Sequence, residues 1–212
     1  MKINLDEKLI AVSQQSTSED IGEHLLTLKS YASKSKHITE MGVRGVVSTW
    51  AFLAGKPNTL RSYDFFHPSE FGAGEELNSV VKAAYNHHID FKFIQQDVLK
   101  ANITETDLLF IDTWHVYKQL TQELRLHSHK VRKWIILHDT TNCEFRDEEG
   151  YEKHLGVDFA NPYPPNFPKG KGIWPAVEEF LHRNKEDWKI LERFTHCNGL
   201  TVLERVTNKK SY

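Results

Sequence analysis

The chain has 212 residues, enough to bury one sizeable core. Lys plus Arg number 27 against 29 Asp plus Glu, and a formal charge of −2 gives no electrostatic reason to expect nucleic acid or an anionic membrane as a partner. No apolar run approaches the roughly 18 residues that span a bilayer, and the start MKINLDEKLIAVSQQ lacks a basic-then-apolar export pattern, so a soluble, cytoplasmic protein is expected. Cys143 and Cys197 have neither metal-ligand nor C-x-x-C spacing and read as reduced thiols. Most of the 12 histidines are scattered and read as surface or partly buried residues.

In chain order, the spacing of Ile21, Leu25 and Leu28 after a Thr17-to-Asp20 capping pattern predicts an amphipathic helix over 17–33. Short apolar runs at 37–42, 59–64, 91–97, 107–112 and 133–139 predict strands. Between them VVSTWAFLAG, GEELNSVVKAAYNHH and HVYKQLTQELRLHSHK have helical length and spacing. The alternation predicts βαβ units in a parallel sheet, with the continuous LLFI and WIIL as central strands buried on both faces. Residues 140–172 are too long and too rich in Pro and Gly for an ordinary connection. Tyr151, Phe159, Tyr163 and Phe167 within them favour an ordered lid. IWPAVEEFLHRN then resumes a helix. WKILERFTH and LTVLERV alternate apolar with polar residues and are joined by Cys197-Asn198-Gly199, whose Asn-Gly predicts an antiparallel hairpin closing the sheet. The expected organisation is an N-terminal helical extension over 1–36 and one α/β domain over 37–212.

In an open α/β sheet the ligand lies where the first strand turns into the first helix. That place is taken by EMGVRGVVS. A dinucleotide calls for G-x-G-x-x-G, because backbone must approach a pyrophosphate. Here Arg44 stands two after Gly42 and Ser48 three after Gly45, so the fingerprint fails. S-adenosylmethionine has no phosphate, and Glu40, Gly42 and Ser48 meet its lighter demand for amine and carboxylate partners. Asp64, 22 residues after Gly42, is placed to accept ribose hydroxyls. Asp97, with Val98 beside it, is placed to meet an adenine amino group. Arg44 can reach the cofactor carboxylate, bind the acceptor or lie on the surface. Trp50, Trp114 and Tyr117 either stack on adenine or the sulfonium or belong to the core.

Five stretches in order, EMGVRGVVSTWAFLAG, the Asp64 strand end, LLFIDTWHVY, WIILHDT, and GIWPAVEEFL with NGLTVLERV, resemble the class I S-adenosylmethionine-dependent methyltransferases. The likeness is to the small-molecule and sugar O-methyltransferase type, related to the cephalosporin hydroxylase-like group, and covers roughly residues 37–206. It implies a Rossmann-like α/β fold with a mostly parallel seven-stranded sheet ending in an antiparallel hairpin. It implies S-adenosylmethionine as cofactor, with Glu40, Gly42, Arg44, Ser48, Asp64, Asp97, Val98, Asp112 and His115 around it. It further implies a Mg²⁺ or Mn²⁺ ion on Asp112 and Asp139 with Asn142 as third ligand, although Thr140 stands where the family often has an acid or amide. General-base catalysis by His115 or His138, oriented by Asp112 or Asp139, is the competing mechanism. The expected activity is methyl transfer to a hydroxyl of a small molecule, most readily a sugar of a glycan or secondary metabolite. A nicotinamide-dependent oxidoreductase and a catalytically silent methyltransferase-like module are the rivals, and a homo-oligomer is left open.

Overall fold

The computed structural model describes residues 3–15, 20–148 and 171–206. The elements run α1 (Leu5–Ser13), α2 (Leu25–Ala32), β1 (His37–Met41), α3 (Val47–Ala54), β2 (Thr59–Asp64), α4 (Gly74–Asn86), β3 (Asp90–Gln95), β4 (Thr106–Ile111), α5 (Tyr117–His127), β5 (Val131–His138), α6 (Trp174–Arg183), β6 (Trp188–Phe194) and β7 (Leu200–Arg205). The seven strands form one sheet in the order β3-β2-β1-β4-β5-β7-β6. β1 to β5 pair in parallel, and β7 pairs antiparallel with both β5 and β6.

Strand periodicity sorts the core into two layers. On β4, Leu108 and Phe110 face one layer and Leu109 and Ile111 the other; on β5, Ile136 opposes Ile135 and Leu137. The first layer is covered by α1 to α4, with Phe52 of α3 tilted against Phe110 at 5.3 Å, and the second by α5 and α6. All six β4 residues are buried, as a central strand of a parallel sheet requires.

Three local expectations change. α1 was not expected, yet Leu5, Leu9 and Val12 give it a buried stripe and Asn4 caps it by accepting from the Asp6 and Glu7 amides. It packs with α2 on α3, so α1 and α2 share the first core layer. The predicted helix over 17–33 begins later, as a 3₁₀ turn at Gly22–His24 leading into α2, and Thr17 lies outside the described residues. The hairpin turn sits one residue earlier than Asn-Gly suggests. Cys197 (φ 48°) and Asn198 (φ 63°) are both left-handed and the Gly199 amide closes on the His196 carbonyl at 2.9 Å.

The order of strands reverses between β1 and β4, whose chains leave in opposite directions, and this opens a cleft at their carboxyl ends. Gly42 ends β1 with φ 89°; a Cβ there would lie 1.9 Å from the Asp112 carbonyl oxygen. The glycine is required so that the β1 turn can rest against the exit of β4, and it thereby fixes where Asp112 stands.

Candidate active site

Two adjoining cavities open on that cleft and share Gly42, Arg44, Phe71, Asp112 and Thr113. The narrower is lined by Asp64, Phe65, Phe71, Asp97, Val98, Trp114 and Gln119. The wider, of about 840 Å³, is lined by Asp20, Ser48, His115, Asp139, Asn142, Arg146, Asp147 and Glu148.

The turn itself is wired inward. Glu40 is 0% exposed, accepting from Ser48 Oγ at 2.6 Å, Ser62 Oγ at 2.5 Å and Thr49 Oγ1 at 3.0 Å, and burial pushes its carboxyl up to about 7 despite those three hydroxyls. Glu40 therefore braces α3 against the sheet and touches neither cavity. Ser48 spends its hydroxyl on Glu40 while lining the wider cavity. Asp64 Oδ2 accepts the amides of Val43 at 2.7 Å and Arg44 at 2.9 Å. The amides that would cradle a phosphate are thus already bound to a carboxylate. Arg44 has its backbone at φ 41° and its exposed side chain where the cavities meet. Asp97 accepts from the Leu99 amide at 2.9 Å and faces Lys100 at 3.3 Å, with Val98 buried beside it.

Two of the three aromatics singled out from sequence are core. Trp50 is fully buried and donates its indole N–H to Glu76 at 2.6 Å, and Tyr117 bonds Glu179 under α6. Only Trp114 lines a cavity, its indole N–H on the Glu148 carbonyl at 3.2 Å.

At the tips of β4 and β5 four side chains close a ring. His115 Nε2 lies 3.2 Å from Asp112 Oδ1 and 3.2 Å from Asp139 Oδ2; His138 Nδ1 lies 3.3 and 3.4 Å from the same two oxygens. Asp139 holds a left-handed backbone at φ 57°, an uncommon conformation of the kind that collects at functional sites. The far side of each ring is anchored, His115 Nδ1 on Glu148 Oε2 at 3.0 Å and His138 Nε2 on the Asp20 carbonyl at 3.1 Å. Burial disfavours both imidazolium ions, but the bonds of His115 to Asp112 and Glu148, with Asp139 nearby, carry its pKa well above the ordinary value. The Asp112 and Asp139 carboxylates likewise lift His138 to about 10. Against its own burial, Asp112 is held well below the usual carboxylate range by His138 and His115.

Of the metal ligands implied by the resemblance, Asp112 and Asp139 converge. Asn142 is exposed at the cavity rim, with its backbone amide on the Asn198 carbonyl at 3.0 Å. Thr140 is buried and turned to Thr201 at 2.9 Å. The third donor beside the two carboxylates is His138: Asp112, His138 and Asp139 each offer one ligand atom within 4.8 Å of the others.

Sequence reasoning missed Asp20, Phe65, Phe71, Gln119 and Glu148. Phe65 directly follows Asp64 and was open to detection as a strand-end neighbour. Glu148 was inside the stretch read as a lid. The described ends of that stretch are tied together, since Asp147 Oδ1 accepts the amides of both Tyr117 (2.9 Å) and Gly172 (3.0 Å). Tyr151, Phe159, Tyr163 and Phe167 lie outside the described residues.

Solved structures with the same arrangement decide the fold. An O-methyltransferase from Bacillus cereus in complex with SAH superposes over 97% of this chain and 92% of its own at a TM-score of 0.55 and 13% identity. The fold is that of a class I methyltransferase. An SAH-bound methyltransferase from Podospora anserina covers 97% of this chain and 90% of its own (TM-score 0.54, 16% identity). The O-methyltransferase TomG from Streptomyces achromogenes, in complex with SAM, covers 97% and 91% (TM-score 0.51, 14% identity). No protein-family model and no curated protein sequence matches the chain. In the methyltransferase fold the terminal antiparallel pair is the departure from a dinucleotide-binding sheet, and β6 and β7 supply it here. Among the described residues no helix is long and apolar enough to cross a membrane.

Proposed function

We propose that the protein is an S-adenosylmethionine-dependent O-methyltransferase acting on a hydroxyl of a small, polar molecule, with a sugar of a glycan or secondary metabolite as the favoured acceptor. The observation that carries this reading is the pair of cavities meeting at Asp112, one aromatic with acidic strand ends and the other wide and polar. The narrower suits a nucleoside, Phe65 and Phe71 offering 40% and 43% exposed rings between Asp64 and Asp97. Its glycine turn does not suit a nicotinamide dinucleotide, whose pyrophosphate would meet the Asp64 carboxylate where the fingerprint demands free amides. The cephalosporin hydroxylase-like grouping rests on the sequence motifs alone.

When bound, S-adenosylmethionine supplies an electrophilic methyl on a sulfonium. The chain's part is to hold the acceptor oxygen in line with it and give the hydroxyl proton somewhere to go. Of the two histidines only His115 lines the wide cavity, its ring fixed by Glu148, while His138 is sealed at 1% exposure. His115 is therefore the histidine that can meet an acceptor hydroxyl; because Asp112, Glu148 and Asp139 hold it charged, it can take a proton only once those carboxylates are engaged elsewhere, and a positioned base then contributes about 10²–10⁴-fold. A divalent ion held by Asp112 and Asp139 would add Lewis acidity at the acceptor oxygen. Polar groups around the cavity, among them Asp20, Arg44, Arg146 and Asp147, offer a polyhydroxylated acceptor several hydrogen bonds.

The test is transfer of a labelled methyl from S-adenosylmethionine to a panel of nucleotide sugars and simple glycosides. Label is expected on oxygen, and Asp112→Asn should lose it. Tight cofactor binding with no transfer to any acceptor would turn the reading to a silent module.

A further inference from the structure

The resemblance implies a hard ion held by oxygens, but the donors at the tips of β4 and β5 are not all oxygens. His138 is 1% exposed and its Nδ1, 3.3 and 3.4 Å from two carboxylate oxygens, makes no well-aligned hydrogen bond; Asp139 Oδ1 is buried without any partner. A backbone carbonyl only accepts, so the His138 Nε2 that meets the Asp20 carbonyl at 3.1 Å carries the hydrogen. Nδ1 is thereby left as the nitrogen that faces Asp112 Oδ1 and Asp139 Oδ2. Once an ion displaces the proton that the two carboxylates hold on Nδ1, this is the arrangement of a metal-ligating histidine, whose outer N–H is donated to an oxygen that fixes the tautomer and aims the inner lone pair. The separations of 3.3 and 3.4 Å from that nitrogen to the two carboxylate oxygens fall where donor–donor edges lie around an ion with bonds of about 2.1 Å.

We infer that Asp112, His138 and Asp139 form a mixed nitrogen–oxygen site for a divalent first-row transition ion, such as Mn²⁺, Fe²⁺, Co²⁺ or Zn²⁺, in preference to Mg²⁺. An imidazole donor favours such ions, whereas Mg²⁺ prefers oxygen ligands and keeps several waters. Asn142 is not a ligand of this site. Three protein donors leave coordination positions open, and Asp112 and Asp139 both line the wide cavity, so the open side faces the place proposed for the acceptor. The site stands on donor geometry and does not depend on the methyl-transfer reading.

The test uses the chelator-treated 212-residue chain without cofactor or acceptor. Calorimetric titration with Co²⁺ alone and with Mg²⁺ alone should give one Co²⁺ per chain, bound at least 100-fold more tightly than Mg²⁺. His138→Gln should weaken Co²⁺ at least 30-fold, and Asn142→Ala should leave it within twofold. Because a buried histidine variant can fail to fold, the wild-type protein loaded with Mn²⁺ provides the second readout, in which pulsed electron paramagnetic resonance should show hyperfine coupling to an imidazole nitrogen. Equal or tighter Mg²⁺ binding, no divalent binding, or a bound Mn²⁺ without nitrogen coupling would overturn the inference. Failure of methyl transfer with these binding results intact would count against the enzyme reading and leave the metal site standing.

Discussion

Replacing Glu40 by Gln should change how stability depends on pH. The carboxyl is fully buried under α3, and burial raises it from 4.5 to about 7. Between those values the folded chain keeps a proton that the unfolded chain releases, so this group makes stability fall as pH rises from about 4.5 to 7 and level off above. A shift of that size corresponds to about 3 kcal/mol across the window. For a domain of this length that is on the order of 6–12 °C in Tm. Gln does not titrate, so the stability difference, variant minus wild type, should grow by about that amount between pH 4.5 and 7, whatever offset the lost acid–hydroxyl bonds impose. Denaturant unfolding at several pH values reads it. A difference that stays flat from pH 4 to 8 would refute the assignment of Glu40 as a buried, proton-holding brace.

Other substitutions separate the roles given above. Glu123 is buried beneath the site with Thr113 and Gln119 on one oxygen and is pushed up to about 7 by burial, so Glu123→Gln should remove a second slope of the same sign and size. Gly42→Ala sets a Cβ 1.9 Å from the Asp112 carbonyl on a left-handed backbone, and should cost more than about 2 kcal/mol and weaken cofactor binding together, as read by melting and calorimetry. Leu9→Ala should destabilise the whole chain by about 2–5 kcal/mol in one cooperative transition, because α1 is part of the first core layer. Trp50→Phe should lower Tm and leave cofactor affinity unchanged, since the indole is spent on Glu76.

Most of the sheet was legible because each strand is a short apolar run between turn signals, and β2 was placed residue for residue at Thr59–Asp64. The terminal hairpin was legible from Asn198-Gly199, although the turn uses Cys197 and Asn198. α1 carried a readable stripe in Leu5, Leu9 and Val12 and an Asn cap, which reading the chain start only for an export pattern left unused. At the site, Asp112, His115, His138 and Asp139 were legible as polar residues ending buried strands, and the structure brings all four together. What each one faces was not legible. Glu40 and Asp64 sit at strand tips as acids near a ligand would, yet Glu40 turns inward to three hydroxyls, and Asp64 gives one oxygen to the turn's own amides. Direction of that kind is set by the register of β1 against β2 and β4, which one strand's pattern does not encode. Asp20 and Glu148 reach the cluster from outside the strand tips, a long-range contact that local spacing cannot report.

The central claim is that the cleft between β1 and β4 takes S-adenosylmethionine. Calorimetry of the whole protein with S-adenosylmethionine and, separately, with NADH tests it most directly, and Phe65→Ala provides the control for the aromatic side of the cleft. One S-adenosylmethionine per chain should bind, roughly fivefold more weakly in Phe65→Ala if the ring contributes about 1 kcal/mol, and NADH should give no binding heat. Binding of NADH with none of S-adenosylmethionine would contradict the account.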